Sequence, residues 1–133
     1  MRKLFTIATI LISSHILAQP CGGQEGQVHI NADNSKGGFV SSTAYVTEGV
    51  TIKDNAQVCD FAQVTGTAAI SGNAIISDRA TVWGNARVYG DARVFNYAQV
   101  YGNAEVFDNA RVYNQAAVWD VAKAFENAQI YGF

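Results

Sequence analysis

The chain has little positive charge, little histidine and little cysteine, and each shortage closes off a class of function. Nine Lys and Arg stand against eleven Asp and Glu, a net charge of −2. A mildly acidic chain has no electrostatic footprint for nucleic acid or an anionic membrane. The two histidines are His15 and His29, too few to build a histidine-based zinc site. Cys21 and Cys59 are the only cysteines, too few and too far apart to replace one. A convincing transmembrane run is missing too: the apolar stretch Leu4 to Ile12 is too short to span a bilayer.

That stretch has another reading. Arg2 and Lys3 precede it, and Ile16-Leu17-Ala18 follow a short polar step. A charged start, a short apolar run and a small residue describe a secretory signal peptide, with cleavage expected after Ala18. It is not a lipoprotein signal, since Pro20 rather than a small residue precedes Cys21. No stable membrane anchor is expected. The mature chain, 19–133, keeps seven basic residues against eleven acidic ones, a charge of −4. The expected location is secreted, periplasmic or cell-surface. An oxidising compartment permits a Cys21–Cys59 disulfide, and two separate thiols are the alternative.

What the sequence has in abundance is repetition. From Val40 to Ile130 every sixth residue is Val or Ile, with Ala124 the one substitute. Four residues into each unit sits Ala, from Ala44 to Ala128, except at Val50. The local pattern Ala-x-Val-x has period two, which points Ala and Val one way and their neighbours the other. A helix would scatter them around its axis. The third and fourth positions are mostly Gly, Asn or Asp, as in Gly84-Asn85 and Asp108-Asn109. These residues tolerate positive φ, so each unit reads as a short strand and a corner.

A longer period lies in the corners. Every third unit carries Asn55, Asn73, Asp91, Asn109 or Asn127, another third carries Thr67, Asn85 or Asn103, and the last carries Phe61, Arg79, Tyr97, Gln115 or Phe133. Three kinds of corner recurring every eighteen residues predict three strands per coil. Coils would then stack about 4.8 Å apart. The frame also runs back through Val28 and Ala32, where a first, irregular coil is expected. The Gly-rich segment 19–39 reads as an irregular N-terminal cap.

The run GNARVYGDARVFNYAQVYGNAEVFDNARV resembles the hexapeptide-repeat superfamily, and the resemblance covers roughly residues 40–133. It implies an all-β fold: a single-stranded, three-sided, left-handed parallel β-helix of about five to six coils of eighteen residues. Handedness comes from the resemblance alone, because ordinary parallel crossovers are right-handed.

The resemblance also implies an acyltransferase, whose general base is a histidine and whose site lies between subunits of a trimer. A base must titrate near the working pH. Only His29 is available in the mature chain, and it sits in the cap. No loop interrupts the coils, and a secreted chain lacks ready access to coenzyme A. No catalytic residue, cofactor or metal site is assigned. Asp60 and Asp78 share a column, but two carboxylates without further ligands read as turn residues rather than a Ca²⁺ site. An ice-binding threonine array fails as well, because the Thr47–Thr65 column continues as Trp83.

The outer surface is where function is expected. The second position of each unit changes from Ser, Thr, Lys and Cys to rings, giving three columns: Trp83-Tyr101-Trp119, Tyr89-Phe107-Phe125 and Phe95-Tyr113-Tyr131. Such ladders stabilise a narrow rod by cross-strand contact. They also offer rings to a carbohydrate or a partner protein. The candidate binding residues are Trp83, Tyr101 and Trp119, with Arg93 and Arg111 flanking the Phe95-Tyr113 column. The bulky corner of Phe61, Arg79 and Tyr97 could pack against a second rod. The chain's stop in mid-repeat predicts end-to-end self-association or a homo-oligomer. The expected protein is a non-catalytic structural or surface-interaction module, and the competing expectation is the acyltransferase.

Overall fold

A computed structural model describes residues 19–133; the expected signal segment, residues 1–18, lies outside the described residues. From Tyr45–Val46 to Gln129–Tyr131, each six-residue unit makes one strand of two or three residues and then turns. Strands do not pair with their neighbours in sequence. Each pairs in parallel with the strand eighteen residues away, as Val88 does with Val106 and Val82 with Val100. The strands sort into one seven-stranded and two five-stranded sheets. The chain is thus an all-β parallel β-solenoid of about five turns of eighteen residues.

Alternation explains the core. Inward residues such as Val64, Ile70, Val88 and Val100 are completely buried, and so are the alanines between them, Ala68, Ala86 and Ala98 among them. A small residue beside a branched one lets strands from three sheets share one narrow core. Each buried Val contributes roughly 1.5–3 kcal/mol. The backbone is satisfied from coil to coil: Trp83 N–H donates to the Val100 carbonyl at 3.0 Å, and Tyr101 N–H to that of Val118 at 3.0 Å. Corners join the same ladder, with Asn73 N–H to the Gly90 carbonyl at 2.8 Å.

Positive φ falls on the third position of the unit. Gly84 has φ 72° and Asp78 has φ 57°. Gly, Asp and Asn bear this cheaply, whereas Glu126, at φ 56°, does not. The fourth position serves differently. Its amides hydrogen-bond along the axis, Asn55 to Asn73 at 3.2 Å and Asn73 to Asp91 at 2.9 Å.

The expected first coil through Val28 and Ala32 is not formed. Strands β1 (Gly26–Ile30) and β2 (Lys36–Ser41) make an antiparallel hairpin instead, and β2 pairs in parallel with Gln57–Val58. The hexapeptide alternation is absent here, and Gly37-Gly38 run so close to the next coil that a Cβ would strike the Ile52 and Ala56 carbonyl oxygens. Beyond the hairpin, Pro20–Gly23 form a 3-10 turn. No helix of the described residues is long and apolar enough to cross a membrane.

The hairpin closes one end of the rod. Asn31, almost fully buried, donates its amide to the Ile52 carbonyl at 3.0 Å and accepts the Ile52 N–H at 2.9 Å. His29 Nε2 lies 3.1 Å from the Val50 carbonyl. Cys21 and Cys59 are joined by a disulfide, with Cα atoms 5.3 Å apart. Beside it, Gln24 holds Asp60 twice, accepting its N–H at 3.0 Å and donating to its Oδ1.

Candidate functional site

The three ring columns form stacked ladders on the three sheets. Trp83 and Tyr101 lie 4.3 Å apart and 2° from parallel, and Tyr101 and Trp119 lie 6.4 Å apart at 13°. Tyr89–Phe107 and Phe107–Phe125 follow at 5.0 and 5.5 Å, and Phe95–Tyr113 and Tyr113–Tyr131 at 5.2 and 5.5 Å. Face-to-face stacking has a functional cost. A ring inside a ladder has both faces covered by other rings and shows solvent mainly its edge.

The candidate binding residues therefore divide. Trp83, Tyr101 and Trp119 come together in one ladder. Arg93 and Arg111 are register partners on the seven-stranded sheet, whereas the Trp83 ladder follows the strands Thr81–Val82, Gln99–Val100 and Ala117–Val118 of another. The arginines share the sheet of Phe95 and Tyr113 but not that of the tryptophans. Among the described residues the cation–π contact is elsewhere: the Arg79 guanidinium stands 5.5 Å from the Phe61 ring centre.

One ladder carries a charge network. Tyr89 donates its hydroxyl to Glu105 at 3.1 Å, and Lys123 pairs with the other oxygen of Glu105 at 3.0 Å. Lys123 and Tyr89 hold the Glu105 carboxyl below its usual range. Partial burial, aided by the neighbouring Glu105, pushes the Tyr89 phenol up. This network links adjacent coils.

His29 lines a hollow of about 1050 Å³ over the hairpin end together with Glu25 and Tyr45. Its bond to the Val50 carbonyl serves the cap, and among the described residues no hydroxyl, thiol or carboxylate hydrogen-bonds the ring. A smaller hollow of about 470 Å³ opens over the last coil beside Trp119 and Ile130.

The bulky corner is built differently from the ladders. Phe61, Arg79 and Tyr97 project from three successive coils, and Phe61 and Tyr97 are 56% and 60% exposed. No other ring among the described residues stacks on either. Beside them runs a chain of side-chain caps. Asp60 accepts the Asp78 N–H at 3.1 Å, Asp78 accepts the Asn96 N–H at 2.8 Å, and Asn96 accepts the Asn114 N–H at 3.3 Å. A cleft of about 320 Å³ lies between these two rows. Reading residues by column identified this corner; periodicity alone could not distinguish free rings from stacked ones.

A family model described as YdcK Beta solenoid repeat matches residues 86–102 and 98–114. The middle of the rod is thus similar to a β-solenoid repeat, in agreement with its coils. No curated protein and no solved structure matches the chain.

Proposed function

We propose that this chain is a secreted or periplasmic hexapeptide-repeat rod, wound left-handed, that recognises an extended ligand through its outer rings and catalyses nothing. The observation that carries the reading is the exposure of Phe61 and Tyr97 on a backbone whose every nearby turn is pinned to the next coil. Large rings more than half exposed beside polar groups are characteristic of contact surfaces. The inner ladder rings act chiefly as braces, since their faces are already used on one another, whereas the end rings Trp119 and Tyr131 stay more than half exposed.

The competing reading, an acyltransferase, needs His29 as a base with a reacting group beside it. The imidazole instead reaches the Val50 backbone carbonyl of the first coils.

The test compares wild type with His29→Ala in two assays on the full chain. Co-sedimentation with cellulose, chitin and peptidoglycan should be equal in both. Turnover of an acyl-coenzyme A donor by wild type, abolished by His29→Ala in a folded protein, would overturn the proposal.

A further inference from the structure

We infer that the cleft between the Phe61–Arg79–Tyr97 row and the Asp60–Asp78–Asn96 row is a binding site for a neutral, extended β-1,4-linked oligosaccharide lying along the rod axis. This rests on the interaction reading above and narrows it to one site and one ligand class.

The rings point to sugar. A pyranose presents C–H groups on its faces and hydroxyls at its rim, and it is held by an aromatic surface with hydrogen-bonding groups beside it. Tyr97 supplies a ring that no other ring among the described residues stacks on, and Phe61 a ring touched on one side by the Arg79 guanidinium. Neither condition holds inside the ladders, where Tyr101 is covered on both sides by Trp83 and Trp119.

The polar groups point the same way. Asp78 uses Oδ2 for the Asn96 N–H and for the Asn96 amide at 2.9 Å. Its Oδ1 accepts no hydrogen bond among the described residues, which leaves an acceptor for a hydroxyl. Among the described residues Arg79 forms no ion pair, so its guanidinium keeps donors for hydroxyl oxygens. Two carboxylates against one guanidinium disfavour an anionic chain.

Spacing sets the direction. Phe61 and Tyr97 are two coils apart, roughly 9–10 Å along the axis. In an extended β-1,4 chain alternate sugars turn the same face outward, so Phe61 and Tyr97 would take alternate rings while Arg79 meets the sugar between them. An extended peptide is disfavoured because the corner has no strand edge to offer. The N–H groups of Phe61, Arg79 and Tyr97 already donate to Asp78, Asn96 and Asn114 carbonyls at 2.8–2.9 Å.

Calorimetry on the full chain tests the site with cellohexaose and chitohexaose as probes, cellobiose as the short control and a galacturonate hexamer as the anionic control. A hexasaccharide should bind about tenfold more tightly than cellobiose, and the galacturonate should bind more weakly. Tyr97→Ala or Phe61→Ala should weaken hexasaccharide binding about tenfold with an unchanged melting temperature. Tyr97→Phe should stay within about threefold, and Trp119→Ala should have no effect. Absence of hexasaccharide binding by folded wild type overturns the inference. So does loss of binding in Trp119→Ala with retention in Tyr97→Ala, which would move the ligand to a ladder and leave the interaction reading standing. A monomer–dimer equilibrium abolished by Tyr97→Ala, without sugar binding, would assign the corner to a second copy and overturn the inference likewise.

Discussion

The side chain of Asn31 meets the backbone of Ile52 as a missing strand would, donating to its carbonyl and accepting its N–H. An edge strand normally leaves such groups open to another chain. Here one amide replaces one rung, at a position buried from water. Asn31→Leu should leave both Ile52 groups unpaired and lower stability by roughly 1–3 kcal/mol. Asn31→Asp should lose the donor alone and repel the carbonyl. Denaturant melts of both variants, with hydrogen exchange at Ile52, check the assignment; unchanged exchange would remove Asn31 from the cap.

The ladder rings should be coupled rather than independent braces. Trp83 and Tyr101 stack more closely than any other pair among the described residues. A double-mutant cycle of Trp83→Ala and Tyr101→Ala should return a coupling of about 0.5–1.5 kcal/mol. The wider Tyr101–Trp119 pair should return less. Equal couplings would mean that ring separation does not govern the contribution.

Reduction of the Cys21–Cys59 disulfide should act locally. The bridge spans 38 residues of sequence. Closing such a loop stabilises by roughly 2–4 kcal/mol. Because repeats contact only their neighbours, loss should be confined to the first coils. Limited proteolysis of the reduced protein should cut near residues 19–25 first and leave the ladder region whole. Uniform digestion would contradict this.

Position three of the unit should accept Asn but not a β-branched residue. Gly84 has φ 72°, and a Cβ there would stand 3.1 Å from the Gly102 nitrogen and oxygen. Asp and Asn fill equivalent positions at similar φ, as Asp78 and Asn96 do. Gly84→Asn should therefore cost little, whereas Gly84→Val should cost at least about 1–2 kcal/mol. Equal melting temperatures for the two variants would refute the role of φ.

The Tyr89–Glu105–Lys123 network should show opposite behaviour at the two ends of the pH scale. Lys123 and Tyr89 lower the folded Glu105 pKa, so its contribution is complete above the ordinary carboxylate range and fades as pH falls through the folded value. Burial, with help from Glu105, raises the folded Tyr89 pKa, so its contribution holds below about 10 and fades as pH climbs through the folded value. Absorbance titration should find one tyrosine ionising late, and Glu105→Gln should bring it back toward the others. A Tyr89→Phe variant with the same titration curve would assign the late group elsewhere.

Much of the rod was legible because its determinants are local and periodic. Val and Ala at fixed offsets, with Gly, Asp and Asn after them, specify strand and corner without reference to distant residues. The columns Trp83-Tyr101-Trp119 and Phe61-Arg79-Tyr97 followed from the eighteen-residue spacing. The segment before Val40 was not legible in this way. Its hairpin has no repeat, and its structure depends on Asn31, Gln24 and Cys21 meeting partners 21 to 38 residues away. Arg93 and Arg111 illustrate a different limit. Their column was correct, yet they lie on another sheet from the tryptophans with which they were grouped as candidate binding residues.

By itself the sequence determined the repeat, the inward and outward faces, and which residues share a column, because each depends only on the period of a regular backbone. Only the tertiary structure decided how the side chains in those columns use their surfaces. Stacking closed the faces of the inner ladder rings, while Arg79 between Phe61 and Tyr97 kept two corner rings apart. Ring orientation depends on the side chain one coil away, and no single hexapeptide contains that contact.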